Sequence, residues 1–307
     1  MARVMVAMSG GVDSSWVLLK TIELGLRPLA VHMDNGWNSE LAQNNIANLV
    51  RKLDIDLYTH VINWTEYRDL MQAFFDADVV DIELLYDNAL QGVNYQQASK
   101  FGLNYILSGV NKSSEGMLMP RSWHAFKFDK RNIKSIARKY KSIQLDSFPS
   151  FGTLDRIYFE FFKKIKWISF LDYLDYDKFK AMSVLKEKFG YKPYPYKHYE
   201  SIFTRFYQGY ILPKKFGIDK RRIHFSTLII VGQMDRDTAI ADLSSFPYSD
   251  EQVLEEDIEY FLKKMKWSRD MLDEYICRPR KEHIDYGSEE AFYNSIKNAY
   301  LFLSRGY

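Results

Sequence analysis

The chain has 307 residues, enough for one large or two medium domains around an ample core. Its composition, 47% hydrophobic and 27% charged, is that of an ordinary globular protein. A formal net charge of +2 excludes a global field that would commit it to nucleic acid or an anionic membrane, so any anion site must be local. No run approaches the length of an apolar span, and the apolar opening is shorter than a secretory core segment. That predicts a cytoplasmic protein without a membrane span. The single cysteine, Cys277, excludes an internal disulfide and a Cys-rich zinc site. It sits in Tyr275-Ile276-Cys277-Arg278-Pro279 with no glycine elbow, and position 2 is Ala2, so a built-in glutaminase nucleophile is also excluded.

In chain order, Val4 to Met8 reads as a buried strand, Ser9-Gly10-Gly11 as a tight turn, and Asp13-Ser14-Ser15 as the start of a helix over about Ser14 to Leu24. Strand, glycine turn and helix N-terminus in that order can hold phosphate. Glycines bring backbone N–H groups close to an anion, and the helix start presents unpaired donors and its positive dipole end. Ser9, Ser14 and Ser15 add hydroxyls, and Asp13 is placed to hold magnesium beside the phosphates. Leu29 to Met33 is a second strand ending in Asp34-Asn35-Gly36, at the edge where open α/β sheets bind ligands. Met33 and Ala7 are candidates for framing an adenine and Asp34 for reaching a ribose or metal; a plain tight turn is the equal alternative.

Ser39 to Leu53 has an amphipathic helical pattern with Ser39 as N-cap, Leu57 to Ile62 is a third strand, and Thr65 to Ala77 and Asp81 to Phe101 are helical. Tyr105 to Leu107 is a fourth strand. This alternation predicts a parallel, doubly wound, Rossmann-like α/β sheet with its chemistry at the strand C-termini. The fourth strand leads into Ser108-Gly109-Val110-Asn111-Lys112-Ser113-Ser114-Glu115-Gly116. There Gly109 permits close approach of a nucleotide, Lys112 can neutralise phosphate, and Glu115 can hold magnesium or orient a nucleophile; a solvated loop is the alternative. His124 reads as structural.

From Ile157 the character changes, with eighteen aromatics between Ile157 and Tyr210. The spacing of Phe159, Phe162 and Ile165, then Trp167, Leu171 and Leu174, is helical and predicts a mostly helical second domain packed on aromatics. The division is 1–155 and 156–307. Lys163, Lys164 and Lys166 are interleaved; a core face with solvated lysines outweighs a nucleic-acid platform there. Further on, Lys214, Lys215, Lys220, Arg221 and Arg222, with Asp219 and the nearby His198, Glu200 and His224, form a short cationic cluster suited to a diphosphate-bearing small molecule. A solvated charged face is the alternative. The remainder reads as two or three scaffold helices.

The order Ser9-Gly10-Gly11-Val12-Asp13-Ser14 is not a Walker loop. It resembles the pyrophosphatase (PP) loop of ATP pyrophosphatases, the adenine nucleotide alpha hydrolase-like enzymes, which cleave ATP between its α and β phosphates. Further blocks are His32-Met33-Asp34-Asn35-Gly36-Trp37-Asn38-Ser39, Ser108-Gly109-Val110-Asn111 with Glu115-Gly116, Lys197-His198-Tyr199-Glu200-Ser201-Ile202-Phe203-Thr204-Arg205-Phe206, Ile211 to Ser226 and Gly232-Gln233. With these, the chain resembles the N-acetyl sugar amidotransferases of surface-polysaccharide and flagellin-sugar pathways over nearly its whole length. Pro193-Tyr194-Pro195-Tyr196 departs from the glycine that relatives tend to have before the Lys-His block.

The resemblance implies that ATP and magnesium are used to convert an acetamido group of a nucleotide-linked sugar into an acetamidino group. An amide carbon is a poor electrophile, so its oxygen is first adenylylated, with pyrophosphate held by Ser9 to Ser15 and magnesium on Asp13; ammonia then displaces AMP. Asp13, Lys112, Glu115, His198 and Glu200 are the implied catalytic set, with His198 or Glu200 taking a proton from ammonia. Ala7, Ser9, Gly10, Gly11, Asp13, Ser14, Ser15, Met33, Asp34 and Gly109 are expected at the nucleotide. Arg205, Lys215, Lys220, Arg221, Arg222 and His224 are expected at the sugar nucleotide. Ammonia is expected from a separate glutaminase through a channel-forming synthase partner. Two other readings of these residues are an ATP-dependent tRNA-modifying enzyme and a non-catalytic adenine-nucleotide sensor.

Overall fold

The computed structural model describes residues 2–141, 144–194, 199–248 and 250–304. Its centre is a five-stranded parallel sheet of order β3-β2-β1-β4-β5, built from β1 (Arg3–Met8), β2 (Arg27–Asp34), β3 (Asp56–Val61), β4 (Tyr105–Ser108) and β5 (Lys166–Ser169). The apolar run of β1 is buried on both faces because successive side chains leave opposite sides of a strand. Met5 joins Val31, Met33 and Ile106 in one core, while Val4, Val6 and Met8 join Ala30 and Leu107 in another. Helices α1 (Val12–Glu23) and α2 (Glu40–Leu53) cover the second face; α3 (Trp64–Asp76) and α4 (Leu84–Lys100) cover the first. This is the doubly wound α/β arrangement expected. Ser39 caps α2 as anticipated, its hydroxyl accepting from the Ala42 N–H at 3.2 Å.

Beyond β4 come α5 (Lys112–Glu115), α6 (Lys130–Lys141), α7 (Thr153–Ile157) and α8 (Lys178–Phe189). Helix α7 runs on into a π-helical turn, Tyr158–Phe162. Next are α9 (Ile202–Phe206), itself continued by the π-helical Tyr207–Phe216, and α10 (Arg221–Ile230). Helices α11 (Arg236–Ser244), α12 (Glu251–Met265), α13 (Arg269–Cys277) and α14 (Glu290–Ser304) complete the second half.

Two features differ from the helical pattern read after Ile157. Trp167 lies in strand β5, which pairs with β4 through Trp167 opposite Ile106 and Ile168 opposite Leu107. Residues set apart as 156–307 thus supply the strand beyond β4. Phe162 is 76% exposed, whereas Phe159 and Ile165 do face the core. Three residues of local spacing cannot separate a strand from one helical turn, and neighbours decided it. One core cluster also runs from Met5 to Tyr286, so α9, α12 and α13 pack on the same aromatic mass as α3 and α4.

Candidate active site

The chain leaves β1 toward β2 and β3 on one side, and β4 and β5 lie on the other, so the strand order reverses between β1 and β4. Open α/β sheets bind ligands in the crevice at that reversal, beyond the strand C-termini. The Ser9–Ser15 turn and Gly109 meet there. The serines knit the turn: Ser14 Oγ accepts from the Ser9 N–H at 3.3 Å and donates to the Gly11 carbonyl at 3.2 Å, while Ser9 Oγ accepts from the Gly11 N–H at 3.3 Å. Gly10 has φ +86°, a left-handed conformation that favours glycine. Gly11 caps α1 without a side-chain acceptor, so the helix start keeps donors for an anion. Gly109 rests on the same turn, where a Cβ would lie 2.8 Å from Ser14 N and 2.9 Å from Asp13 C. Tyr191 and Tyr194 roof it, both hydroxyls donating to the Gly10 carbonyl.

Asp13 points its carboxylate across this crevice. Oδ1 accepts from the Tyr176 hydroxyl and Oδ2 from Ser114 Oγ at 3.3 Å. Burial and the Asp13 charge push the Tyr176 phenol far above its usual range, so it remains a donor. Each carboxylate oxygen keeps a further lone pair. Among the described residues no group of three or more His, Cys, Asp and Glu could cage a metal. Magnesium is held by one or two carboxylates together with substrate phosphates, and Asp13 would be the protein's ligand.

His32, at the end of β2, was not anticipated as part of this edge. Its Nδ1 meets the Met8 carbonyl at 2.9 Å and its Nε2 meets Asn38 Nδ2 at 3.0 Å, so one nitrogen donates and the other accepts. Burial lowers its pKa, consistent with a neutral ring tying β1 to the loop after β2. A lone histidine inside the apolar run Leu29 to Met33 was the available signal. Asp34 Oδ1 accepts from the Gly36 N–H at 2.8 Å and from Asn38. Met33 is fully buried and Ala7 half-buried, which leaves mainly their backbone to frame a base.

The loop after β2 also recruits the second half of the chain. Asn38 and Ser201 form an antiparallel bridge, the Ser39 N–H donates to the Glu200 carbonyl at 2.9 Å, and the Ile202 N–H donates to the Trp37 carbonyl at 2.8 Å. Buried Trp37 anchors it against Phe203, centroids 5.3 Å apart. Glu200 thereby comes beside the phosphate turn, Oε1 standing 3.6 Å from where a Cβ on Gly11 would be. His198 falls outside the described residues. Glu115 is half-buried at the end of α5; Lys112 is exposed, and its N–H donates to Asp172.

A second group of charged residues was not legible in the sequence. The carboxylates of Glu200, Asp87 and Asp34 all raise the pKa of the Tyr86 phenol, chiefly a result of its burial. Lys127 bridges Asp81 at 2.7 Å and Asp87 at 2.8 Å. Burial pushes the Asp87 carboxyl up, and the Lys127 ammonium opposes it. Asp81 holds φ +61° with its N–H on the Tyr207 hydroxyl.

The expected sugar-nucleotide residues separate. Arg205, Lys220, Arg221 and His224 line one pocket of about 60 Å³ together with Tyr199 and Gln208. Its cations are held by carboxylates: Arg205 as a two-pronged fork on Asp257, both contacts 2.6 Å, Lys220 on Glu83 at 2.7 Å, and Arg221 on Asp219 at 2.8 Å. Arg222 is exposed. Lys215 is enclosed elsewhere, its ammonium on Asp78 and on the carbonyls of Tyr275 and Arg278, so its three donors are used within the fold.

The family model described as LPS biosynthesis protein WbpG-like, C-terminal domain, matches residues 200–300. That segment resembles the WbpG-like domain. The match agrees with the resemblance read from the sequence, and the WbpG-like segment begins at Glu200, the residue carried to the phosphate turn. No curated protein matches the chain in sequence. Similar solved structures include a 4-thiouridine synthetase in complex with RNA and bound ATP, with TM-score 0.38 and 17% identity over 62% of this chain and 41% of that one. This chain therefore spans less than half of that protein's length. NMN synthetase from Francisella tularensis gives TM-score 0.32 and 14% identity, covering 64% of this chain and 90% of that chain. The U34-tRNA thiolase NcsA from Methanococcus maripaludis gives 0.36 and 10%, covering 76% and 74%. Likenesses this faint carry no argument about reaction or ligand. No described helix is long and apolar enough to cross a membrane.

Proposed function

We propose that the chain is an ATP-dependent amidotransferase acting on a nucleotide-linked N-acetyl sugar, adenylylating the acetamido oxygen and replacing it with ammonia to leave an acetamidino sugar, AMP and pyrophosphate. One observation carries this reading: the loop after β2 places Glu200, the first residue of the WbpG-like segment, beside the Ser9–Ser15 turn at the sheet's switch point. The turn and the N-terminus of α1 bind the departing pyrophosphate, and Gly109 keeps the facing loop close. Magnesium, when bound at Asp13, neutralises phosphate charge. Lys112 and Glu115 border the same crevice on α5. Glu200, with His198, handles the proton lost by ammonia, and Asp34 with the backbone of Ala7 and Met33 holds the nucleoside. The pocket of Arg205, Lys220, Arg221 and His224 adjoins the crevice through α10, which packs on α5, and with Arg222 receives the sugar nucleotide. Lacking a glutaminase cysteine, the enzyme takes ammonia from a separate glutaminase through a synthase partner, in the cytoplasm, for lipopolysaccharide O-antigen or flagellin-sugar synthesis. The test is mass spectrometry of UDP- and CMP-linked diacetamido sugars incubated with the protein, ATP and ammonium. A product lighter by about one mass unit, oxygen exchanged for NH, is expected only with all three present. ATP binding without pyrophosphate release under every combination overturns the assignment.

A further inference from the structure

Leu154, Tyr158, Phe161 and Phe162 recur at the spacing of one helix face, yet that face looks outward: they are 66%, 47%, 58% and 76% exposed. The opposite face carries the packing, with Phe159 on Tyr95 and Phe151 at 5.6 and 6.2 Å and Ile165 buried. The outer stripe continues onto α14 through an edge contact of Phe161 with Tyr300, centroids 6.0 Å apart, and Tyr300 is itself 58% exposed. Soluble monomers seldom leave so many large apolar side chains together in water.

The charge beside this stripe has one sign. Lys163, Lys164 and Lys166 follow it directly and are all exposed, the Lys163 ammonium lying 5.7 Å from the centre of the Tyr158 ring. The nearby acids are already engaged: Asp155 by Lys130 at 2.9 Å, and Glu160 by Arg156 at 2.8 Å and by the Tyr95 hydroxyl. Protein interfaces are enriched in arginine and depleted of lysine, whereas these cations are lysine alone. Single-strand platforms line a groove with rings; here the rings stand on a convex helix face beside Leu154, which cannot stack on a base. Aromatic rings at head-group depth with lysines on lipid phosphates are the pattern of a bilayer surface.

We propose that the face formed by α7, its π-helical extension and the end of α14 docks the protein on an anionic lipid bilayer, with Phe161, Phe162 and Tyr300 among the head groups and Lys163, Lys164 and Lys166 on the lipid phosphates. The docking is peripheral and reversible, because three lysines and a short apolar stripe fall far short of a spanning helix. It is independent of the reaction proposed above, and its test needs no sugar substrate.

The full chain is sedimented with vesicles of phosphatidylethanolamine and phosphatidylglycerol, or of phosphatidylcholine alone, at low and high salt. Binding to the anionic vesicles at least ~10-fold above that to the neutral ones, and lost at high salt, is expected. The triple variant Lys163→Glu, Lys164→Glu, Lys166→Glu and the double variant Phe162→Ser, Tyr300→Ser should each lose it while keeping the wild-type melting curve, since these side chains are exposed. A wild-type chain that stays in the supernatant overturns the proposal. So does self-association that the double variant dissolves, which makes the face a protein interface, or single-stranded RNA that displaces the chain from vesicles and binds it more tightly.

Discussion

Replacing Gly109 by Ala tests whether the loop after β4 is seated on the phosphate turn. The added Cβ would stand 2.8 Å from Ser14 N, 2.9 Å from Asp13 C and 3.1 Å from Asp13 Cβ. Two of these are backbone atoms and cannot swing away, so the gap must open to at least the 3.4 Å of an ordinary contact. Either the loop lifts or the first turn of α1 shifts, at a stability cost of roughly 1–3 kcal/mol for overpacking. Displacements of this order at a reacting centre reduce rates by about 100-fold. Gly25→Ala is the matched control. Gly25 has φ +73° and no atom within 4 Å of the added Cβ, so its penalty is backbone strain alone, about 1–2 kcal/mol, away from the crevice. Pyrophosphate release and calorimetric ATP binding are measured beside thermal melts. Comparable losses of stability are expected, with ATP turnover lost only in Gly109→Ala. Wild-type turnover in Gly109→Ala, or equal losses in both variants, refutes the seating argument.

Three further outcomes follow from the same geometry. Asp13→Ala should lower pyrophosphate release at least ~100-fold, because its carboxylate faces the crevice at the start of α1, where it would hold magnesium; retained turnover would discredit the assigned turn. Arg205→Ala leaves the buried Asp257 carboxylate without its fork, with only the Tyr248 hydroxyl, and should destabilise by about 3–5 kcal/mol, visible as a drop in melting temperature of roughly 10 °C. His32 has its pKa lowered by burial, so its share of stability is complete above its ordinary value of 6.5 and is lost as pH falls below it, when the unfolded chain takes up the proton first. Melting curves across that range should show a steeper acid decline in the wild type than in His32→Gln, and equal slopes would remove His32 from the account.

The order of strands and helices through Ser108, the cap at Ser39 and the phosphate turn at Ser9–Ser15 were all readable in the chain, because each depends on residues within a few positions of one another. Apolar runs buried on both faces, a serine before a helix and paired glycines after a strand are local signals. Strand β5 was not readable: Trp167-Ile168 becomes a strand because the edge of β4 offers unpaired N–H and C=O groups to it. Nor could local spacing separate the cations near Lys214 to Arg222, since that depended on which carboxylate each would meet; Glu83 and Asp257 are far from their partners along the chain.

What the sequence determined by itself, then, is the glycine turn between β1 and α1 and the layered sheet beneath it. Only the tertiary structure decided that Glu200 sits beside that turn, that Asp87 and Lys127 pair, and that Lys215 closes a distant joint. The physical reason is range. Backbone conformation answers to neighbours along the chain, whereas a charged side chain goes where burial can be matched by a partner, and that partner is chosen by packing.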